Sequence, residues 1–240
     1  MALITSAANP RLKLVRKLHS RRQREKLGLF LCEGEDLVAA ALDAGLQPVE
    51  TLLDAERPAL NERLPHGEEV APELLAEVST LAHPPRVIAV FRHADLRGGT
   101  DAPLGLALWR VGDPGNVGTL IRAADAFGPA FVALSSGSAD PTSPKALRAS
   151  MGALFRVPLA GFEEAPGPRL GLVPKAGKLL PDVSLGERAT FVLGAEREGL
   201  APEVLRECDE IVSIPTREGA ESLNVAVAGA IALYERKRRG

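Results

Sequence analysis

Three polar segments, each following an apolar run in the second half of the chain, hold the residue types best suited to chemistry. The first is Gly112-Asp-Pro-Gly-Asn116-Val-Gly118-Thr-Leu-Ile-Arg122-Ala-Ala-Asp125. Asp-Pro-Gly is a turn, Asn116 can cap a helix, and Gly118 leaves room for something to approach the first helical turn. Arg122 lies one turn beyond Gly118 and shares its face. Two readings stay open at this point. Arg122 faces a ligand beside Gly118, or it pairs with Asp125 at i,i+3 in a surface ion pair worth ~0.3–0.5 kcal/mol. In the second segment, Phe191-Val-Leu-Gly194-Ala-Glu196-Arg-Glu-Gly199-Leu, an apolar strand stops at a glycine and an acid sits in a tight loop closed by another glycine. The third runs Ile211-Val-Ser-Ile-Pro215, a Gly219-bearing turn, then Ser222-Leu-Asn224-Val-Ala-Val-Ala-Gly-Ala-Ile-Ala-Leu-Tyr234. Here a helix is expected to start at Ser222, whose hydroxyl can cap its free N–H groups. A helix start that meets a polar turn offers a place for an anion or polar ligand.

Several familiar chemistries are absent. The four histidines, His19, His66, His83 and His93, all precede residue 94, so the second half cannot build a Ser-His-Asp or Cys-His site from its own residues. No His/Cys group has metal-ligand spacing, and no metal is expected. There is neither a GxxxxGK[ST] loop nor a GxGxxG following a strand.

The elements that must position these segments follow from periodicity. Apolar strands are expected at Leu104 to Val111, Ala130 to Leu134, Leu170 to Val173, Phe191 to Gly194 and Ile211 to Ile214, mostly with helices between them. Continuous rather than alternating apolar runs indicate a parallel sheet covered on both faces. In such open sheets ligands bind at the carboxyl ends of the strands, the edge that all three polar segments would occupy. The stretch from Ser222 to Tyr234 carries no charge, so that helix should be buried on most sides, in the core or in a subunit contact. Its Ala and Gly positions imply a close neighbour.

The first half has a βαβ rhythm of its own: a helix opening at Asn9-Pro10 and ending before Gly28, a strand at Leu29 to Cys32, a helix from Glu35 to Ala44, a strand at Val49 to Leu53, a helix from Pro72 to Val78 and a strand at Val87 to Phe91. The polar, Gly-rich stretch Ala94 to Pro103 places a boundary between a domain at 1–95 and one at 104–240.

The 240 residues are enough for this organisation, and 45% hydrophobic content supports a real core. The formal charge is −2, yet Met1 to Lys26 holds eight Lys/Arg against the single acid Glu25. Such a basic arm suits phosphates, with Arg11, Lys13, Arg16, Lys17, Arg21, Arg22 and Arg24 as the contact candidates, or it is a solvated helix face. Cys32 and Cys208 belong to no cluster and are expected to be reduced, which fits the cytoplasm. No apolar run approaches the ~18 residues of a membrane span, and no signal peptide is expected.

Taken in order, the three segments resemble the SpoU/TrmH family of RNA ribose methyltransferases, within the SPOUT superfamily. Its first motif is matched by Asn116-Val-Gly-Thr-Leu-Ile-Arg122, its second by Leu193-Gly-Ala-Glu196-Arg-Glu-Gly199-Leu, and its third by Ile214-Pro215 through Ser222-Leu-Asn224-Val-Ala-Val-Ala. Between them, Pro144-Lys-Ala-Leu-Arg-Ala-Ser150-Met-Gly152-Ala-Leu-Phe-Arg156-Val-Pro158 also looks like family sequence, and Phe30-Leu-Cys-Glu-Gly34 looks like the ribosomal-protein-like domain often attached at the N-terminus. Ala195 and Ala226 stand where many relatives are more polar, and the Pro/Gly-rich connection Gly161 to Pro168 is short where the family commonly has a helix.

The resemblance implies an α/β fold: a C-terminal parallel-sheet domain threaded into a deep trefoil knot, an exception to the rule that connections are unthreaded, plus a smaller N-terminal α/β domain. It implies S-adenosylmethionine as cofactor, lined by Leu193, Gly194, Glu196, Gly199, Ile214, Pro215, Ser222, Leu223 and Asn224. It also implies a polar catalytic group of Asn116, Arg122, Glu196 and Asn224, and a homodimer that completes the site. Arg122 is the family's proposed base. An arginine holds its proton with a pKa above ~12, so removing it at neutral pH costs about 7 kcal/mol, and stabilising a developing alkoxide is the easier role. Ribosomal RNA is favoured over transfer RNA because of the attached domain. The rival readings are a transfer-RNA methyltransferase, a non-catalytic RNA-binding protein on the same scaffold, and a nucleotide-binding regulator.

Overall fold

The computed structural model describes residues 3–219 and 221–240; Ala220, within the turn expected before Ser222, lies outside them with Met1 and Ala2. Asn9 accepts the Arg11 N–H on its side chain and Pro10 opens α1 (Pro10–Leu18), which buries Leu12, Val15 and Leu18. The single basic helix expected to run on to Gly28 is broken. A cap at His19 and Ser20 separates α2 (Arg21–Leu27), which stops where Gly28 turns left-handed. There follow β1 (Leu29–Glu33), α3 (Glu35–Asp43), β2 (Glu50–Asp54), β3 (Glu68–Val70), α4 (Pro72–Val78) and β4 (Val87–Arg92). They form a four-stranded sheet of order β1-β4-β2-β3, in which β4 runs antiparallel to both β1 and β2. The βαβ rhythm is therefore split, with β4 inserted between its two strands.

The second half runs β5 (Leu104–Leu108), α5 (Pro114–Phe127), β6 (Ala130–Leu134), α6 (Pro144–Ser150), β7 (Leu159–Gly161), β8 (Arg169–Leu172), β9 (Lys178–Leu179), β10 (Ala189–Leu193), α7 (Pro202–Arg206), β11 (Glu210–Ser213) and α8 (Val225–Arg238). Its seven-stranded sheet has the order β7-β6-β5-β10-β8-β11-β9, and every recorded pairing is parallel. The central strands β5 and β10 are buried at all five positions, as the continuous apolar runs require. The short strands β3, β7 and β9 were not legible in the sequence, since two or three residues carry no periodicity. After Pro158 the chain makes β7 and a single 3₁₀ turn at Phe162–Glu164 before β8, and no α-helix intervenes.

The two halves share one hydrophobic cluster that includes Phe30 and Phe91 from the first sheet and Leu147, Leu154 and Phe155 from α6 and the turn after it. The Phe30 ring stacks 6.3 Å from Phe155 and 5.5 Å from His93. Fully burying each such side chain contributes about 1.5–3 kcal/mol. Beside this contact Arg24, 2% exposed, donates from Nε and Nη2 to Asp140 Oδ2 at 2.9 and 2.6 Å, and from Nη1 to the Leu18 and His19 carbonyls. Arg24 is thus a structural residue, inaccessible to a phosphate.

Burial alone would raise the Asp140 carboxyl, but hydrogen bonds from Thr142 and Arg24 hold it below the ordinary aspartate value of 3.8. A depressed carboxyl adds stability above its unfolded pKa that is lost as pH falls through the folded one. Arg24→Met is expected to cost about 3–5 kcal/mol at neutral pH by leaving Asp140 unpaired. The difference from wild type should shrink below about pH 3.8. Urea melts of both proteins at neutral pH and at acid pH check both statements.

Candidate active site

Because all strands of the second sheet run the same way, the loops after β5, β8, β10 and β11 emerge on one edge. The loop after β5 reaches Asp113, whose Oδ1 accepts the Asn116 N–H at 3.0 Å and so caps α5. The cap expected of Asn116 is made by Asp113, because a cap bonds the N–H about three residues on. Asp113 Oδ2 also accepts from Lys145 Nζ at 2.6 Å, and that bond, ahead of the backbone contacts, pulls the Asp113 carboxyl below its usual range. Neither Asp113 nor Lys145 stood out in the sequence, where Asp113 read as a turn residue.

Relieved of capping, the Asn116 side chain bridges two other loops. Its Nδ2 donates to Glu196 Oε1 at 2.9 Å, and its Oδ1 accepts from Asn224 Nδ2 at 3.1 Å. Asn224 Oδ1 in turn accepts the Ala226 and Val227 N–H groups, so Asn224 caps α8. The helix start expected at Ser222 moves to Val225, and Ser222 lies in the exposed loop before it. The Glu196 carboxylate also receives the Gly112 and Asp113 N–H groups at 3.4 Å. Desolvation alone would raise Glu196, yet the Asn116 amide and these backbone donors outweigh it, and its pKa is lowered.

Arg122 is exposed on α5. The ion pair with Asp125 does not form, since Asp125 is taken by Arg156, with Nη2 to Oδ2 at 2.6 Å. Among the described residues no acceptor is recorded for the Arg122 guanidinium. The close approach anticipated at Gly118 comes from α6, whose Ala146 carbonyl and Ser150 N–H occupy the space a Cβ would need.

Beside this polar chain lies a cleft of about 200 Å³. Of the expected cofactor-lining residues, Leu193, Gly194, Glu196 and Gly199 border it from the β10 side. Ile214, Ser222 and Leu223 border it from the β11 side, whereas Pro215 and Asn224 do not line it. The segment Leu172–Lys175 after β8 also lines it and was missed; its signal was present, an apolar strand ending at Pro174 with Gly177 beyond. At Gly194 the chain doubles back so tightly that a Cβ would overlap the Gly199 backbone, and Gly199 N–H bonds the Ala195 carbonyl at 2.9 Å.

The expected RNA-contact residues divide. Arg11 pairs with Glu50 and Glu68, Arg16 with Glu77, and Arg21 with Glu25. Lys13, Lys17 and Arg22 are exposed. The C-terminal Arg238 and Arg239 pair with Glu235, and Arg239 also donates to the Leu180 and Val183 carbonyls, which docks the end of α8. No helix among the described residues is long and apolar enough to cross a membrane.

The SpoU rRNA Methylase family model matches residues 103–234. The model of the MRM3-like substrate binding domain matches residues 9–89. The chain is 33% identical to 23S rRNA (guanosine(2553)-2'-O)-methyltransferase RlmP of Bacillus subtilis, covering 98% of each. It is 32% identical to 23S rRNA (uridine(2479)-2'-O)-methyltransferase of Streptomyces viridochromogenes, over 92% of this chain and 87% of that one. Among solved structures, an AdoMet-bound rRNA methyltransferase from Sinorhizobium meliloti superposes with a TM-score of 0.84 at 29% identity, covering 99% of this chain and 98% of the other. With more than half of its length matched by the family model and near full-length relatives at one-third identity, the chain belongs to the SpoU rRNA methylase family.

Proposed function

We infer that the protein methylates ribose 2′-hydroxyls of ribosomal RNA, with S-adenosylmethionine as the methyl donor. The observation that carries this reading is the hydrogen-bonded chain Glu196–Asn116–Asn224, which joins three strand-end loops beside the cleft, with the exposed Arg122 on the same helix as Asn116 and no acceptor for its guanidinium among the described residues. Relatives named as 23S rRNA 2'-O-methyltransferases and an AdoMet-bound structural neighbour favour ribosomal RNA and this cofactor. Among the described residues no group of three or more His, Cys, Asp or Glu is placed to hold a metal.

The cleft fits such a cofactor. Leu193, Ile214, Leu223 and Val225 offer apolar walls for a heterocycle, the Gly194–Gly199 loop presents backbone groups, and the Glu196 carboxylate supplies negative charge beside a cationic ligand. Bound there, S-adenosylmethionine supplies an electrophilic methyl group on a positively charged sulfur. The chain's own residues do the rest. Asn116 holds Glu196 and the α8 cap in one register. Arg122 would stabilise the negative charge that develops on the 2′-oxygen as its proton passes to solvent and the oxygen attacks the methyl group.

Residues 1–95 serve as the RNA substrate-binding domain and 104–240 as the catalytic domain, the C-terminal stretch being threaded through the sheet as a trefoil knot. The protein works in the cytoplasm as a homodimer. The dimer reading is supported by α8, which buries Val225, Ala226, Gly229, Ala232 and Leu233 but leaves Val227 and Tyr234 about half exposed. An uncharged face of this kind calls for a partner.

Transfer of a labelled methyl group to an unmodified 23S rRNA transcript tests the function directly, and no incorporation into any RNA would leave a non-catalytic RNA-binding protein as the better reading. Arg122→Ala is expected to slow transfer about 10²–10³-fold, with calorimetric affinity for S-adenosylmethionine retained. Gly194→Ala is expected to act the other way, weakening cofactor affinity about 10–100-fold by overpacking the turn against Gly199. Size-exclusion mass measurement should give a dimer at micromolar concentration; a strict monomer refutes the dimer.

A further inference from the structure

We propose that Arg110 binds a phosphate of the RNA strand at the mouth of the site, between the basic N-terminal helices and the reacting ribose. The proposal rests on the RNA methyltransferase reading above and adds a residue that reading does not use.

Arg110 sits just past β5, two residues before Gly112, whose N–H faces Glu196. It belongs to the same sheet edge as the polar chain. Its φ is +53°, in the left-handed region where glycine is the usual occupant and a long side chain is strained. Strain of this kind persists where the surroundings over-determine it, and it gathers at functional sites. The surroundings here do over-determine it. The Arg110 N–H donates to Ser135 Oγ at 2.8 Å, and the Trp109 N–H donates to the Leu193 carbonyl at 2.8 Å. The Arg110 stem passes over Gly137, where a Cβ would come within 2.8 Å of Arg110 Cγ.

The guanidinium lies over the Trp109 ring, 5.3 Å from its centroid, and Phe162 backs that ring at 5.2 Å. This cation–π contact holds the head against the ring. Arg110 is exposed, and among the described residues no carboxylate or carbonyl is recorded as accepting from its guanidinium. Two arginines tied to the loop beside it are already engaged: Arg21 holds Glu25 and Arg24 holds Asp140. A pre-oriented guanidinium with open donors matches a phosphate, which it can bind through two parallel N–H bonds.

Placement supplies the second argument. Ser135, which holds the Arg110 backbone, lies 3.2 Å by Oγ from Ser138 Oγ, and the Ser138 carbonyl accepts from Arg21 Nη1 of α2 at 3.0 Å. One short loop therefore ties the basic helix α2 on one side to Arg110 on the other. An RNA strand lying on the exposed Lys13, Lys17 and Arg22 would pass Arg110 on its way to Asn116 and Arg122. A phosphate contact there sets the register of the strand without reading its bases.

The test compares wild type with Arg110→Gly, Arg110→Gln and Arg110→Lys on an unmodified 23S rRNA transcript, by filter binding across a salt series, by methyl transfer and by melting. Arg110→Gly and Arg110→Gln are expected to weaken binding about 5- to 20-fold and to flatten the slope of log affinity against log salt by about 0.7–0.9, the signature of one lost phosphate contact. KM for the transcript should rise by a similar factor and kcat change less, while affinity for S-adenosylmethionine stays at the wild-type value. Arg110→Lys keeps the charge and should keep the slope. Arg110→Gly should melt at or above the wild-type temperature, because glycine is at ease in the left-handed conformation. If it melts lower, Arg110→Gln decides, since it retains the stem on Trp109 and removes only the charge. Unchanged affinity and slope in Arg110→Gln, with wild type binding the transcript, overturns this proposal alone. A wild-type protein that neither binds nor methylates RNA overturns the function on which it rests as well.

Discussion

The Asn116 side-chain amide connects loops whose bonded residues are 80 and 108 positions away along the chain. Nothing local could bring them together. The parallel sheet does so, because equal strand direction delivers every strand-end loop to one edge, and the burial of β5 and β10 at all positions holds those two strands side by side. Two helix caps complete the arrangement. Asp113 takes the N-terminus of α5 and Asn224 that of α8, so both helices are anchored by the same group of residues that orients Glu196. Loss of the Asn116 amide would release the α8 cap from the other two loops and leave Glu196 tied to the β5 loop only by the 3.4 Å bonds from the Gly112 and Asp113 N–H groups.

Division of labour among the charged residues follows from what each one touches. Arg24 is committed to Asp140 and the end of α1, and Arg156 is committed to Asp125. The Arg24 contacts use all three of its nitrogens and leave none for a ligand, whereas Arg156 engages its acid through Nε and Nη2. Committing Arg156 to Asp125 has a consequence in the site, because it removes the acid that Arg122 could otherwise have paired with. The open Arg122 guanidinium therefore depends on an ion pair that its neighbour Asp125 makes elsewhere.

The two halves are joined by more than their linker. Phe30, at the start of the first sheet, stacks on Phe155 from the connection after α6, and the two sheets share a single apolar cluster. The same α6 packs so closely on α5 that only glycine is accommodated at 118. A shift of the N-terminal half would thus be felt at the first turn of α5, where Asn116 begins the polar chain. This mechanical continuity gives the N-terminal half a physical route to the site, through packed side chains rather than through a flexible tether.

Much of this was legible in the residues alone. The strand Ala130–Leu134 and the helix Pro72–Val78 were read to the residue, because an apolar run and a Pro-initiated amphipathic turn are local signals. Asn116, Glu196 and Asn224 were recognisable as polar residues at strand ends, and their order along the chain identified the family. Their mutual bonds were not readable, and neither were the true caps: Asn116 and Ser222 were expected where Asp113 and Asn224 cap, since only the helix axes decide which N–H groups a side chain can reach. The fate of the basic arm was equally hidden. Arg11, Arg16, Arg21 and Arg24 look alike in a charge count, but an ion pair depends on a partner brought near by the fold, and for Arg24 that partner lies 116 residues away. Residue type and spacing determined which groups the protein carries and which edge they occupy. Long-range packing decided which of them are free to meet a substrate, because that depends on distances between segments that no local pattern encodes.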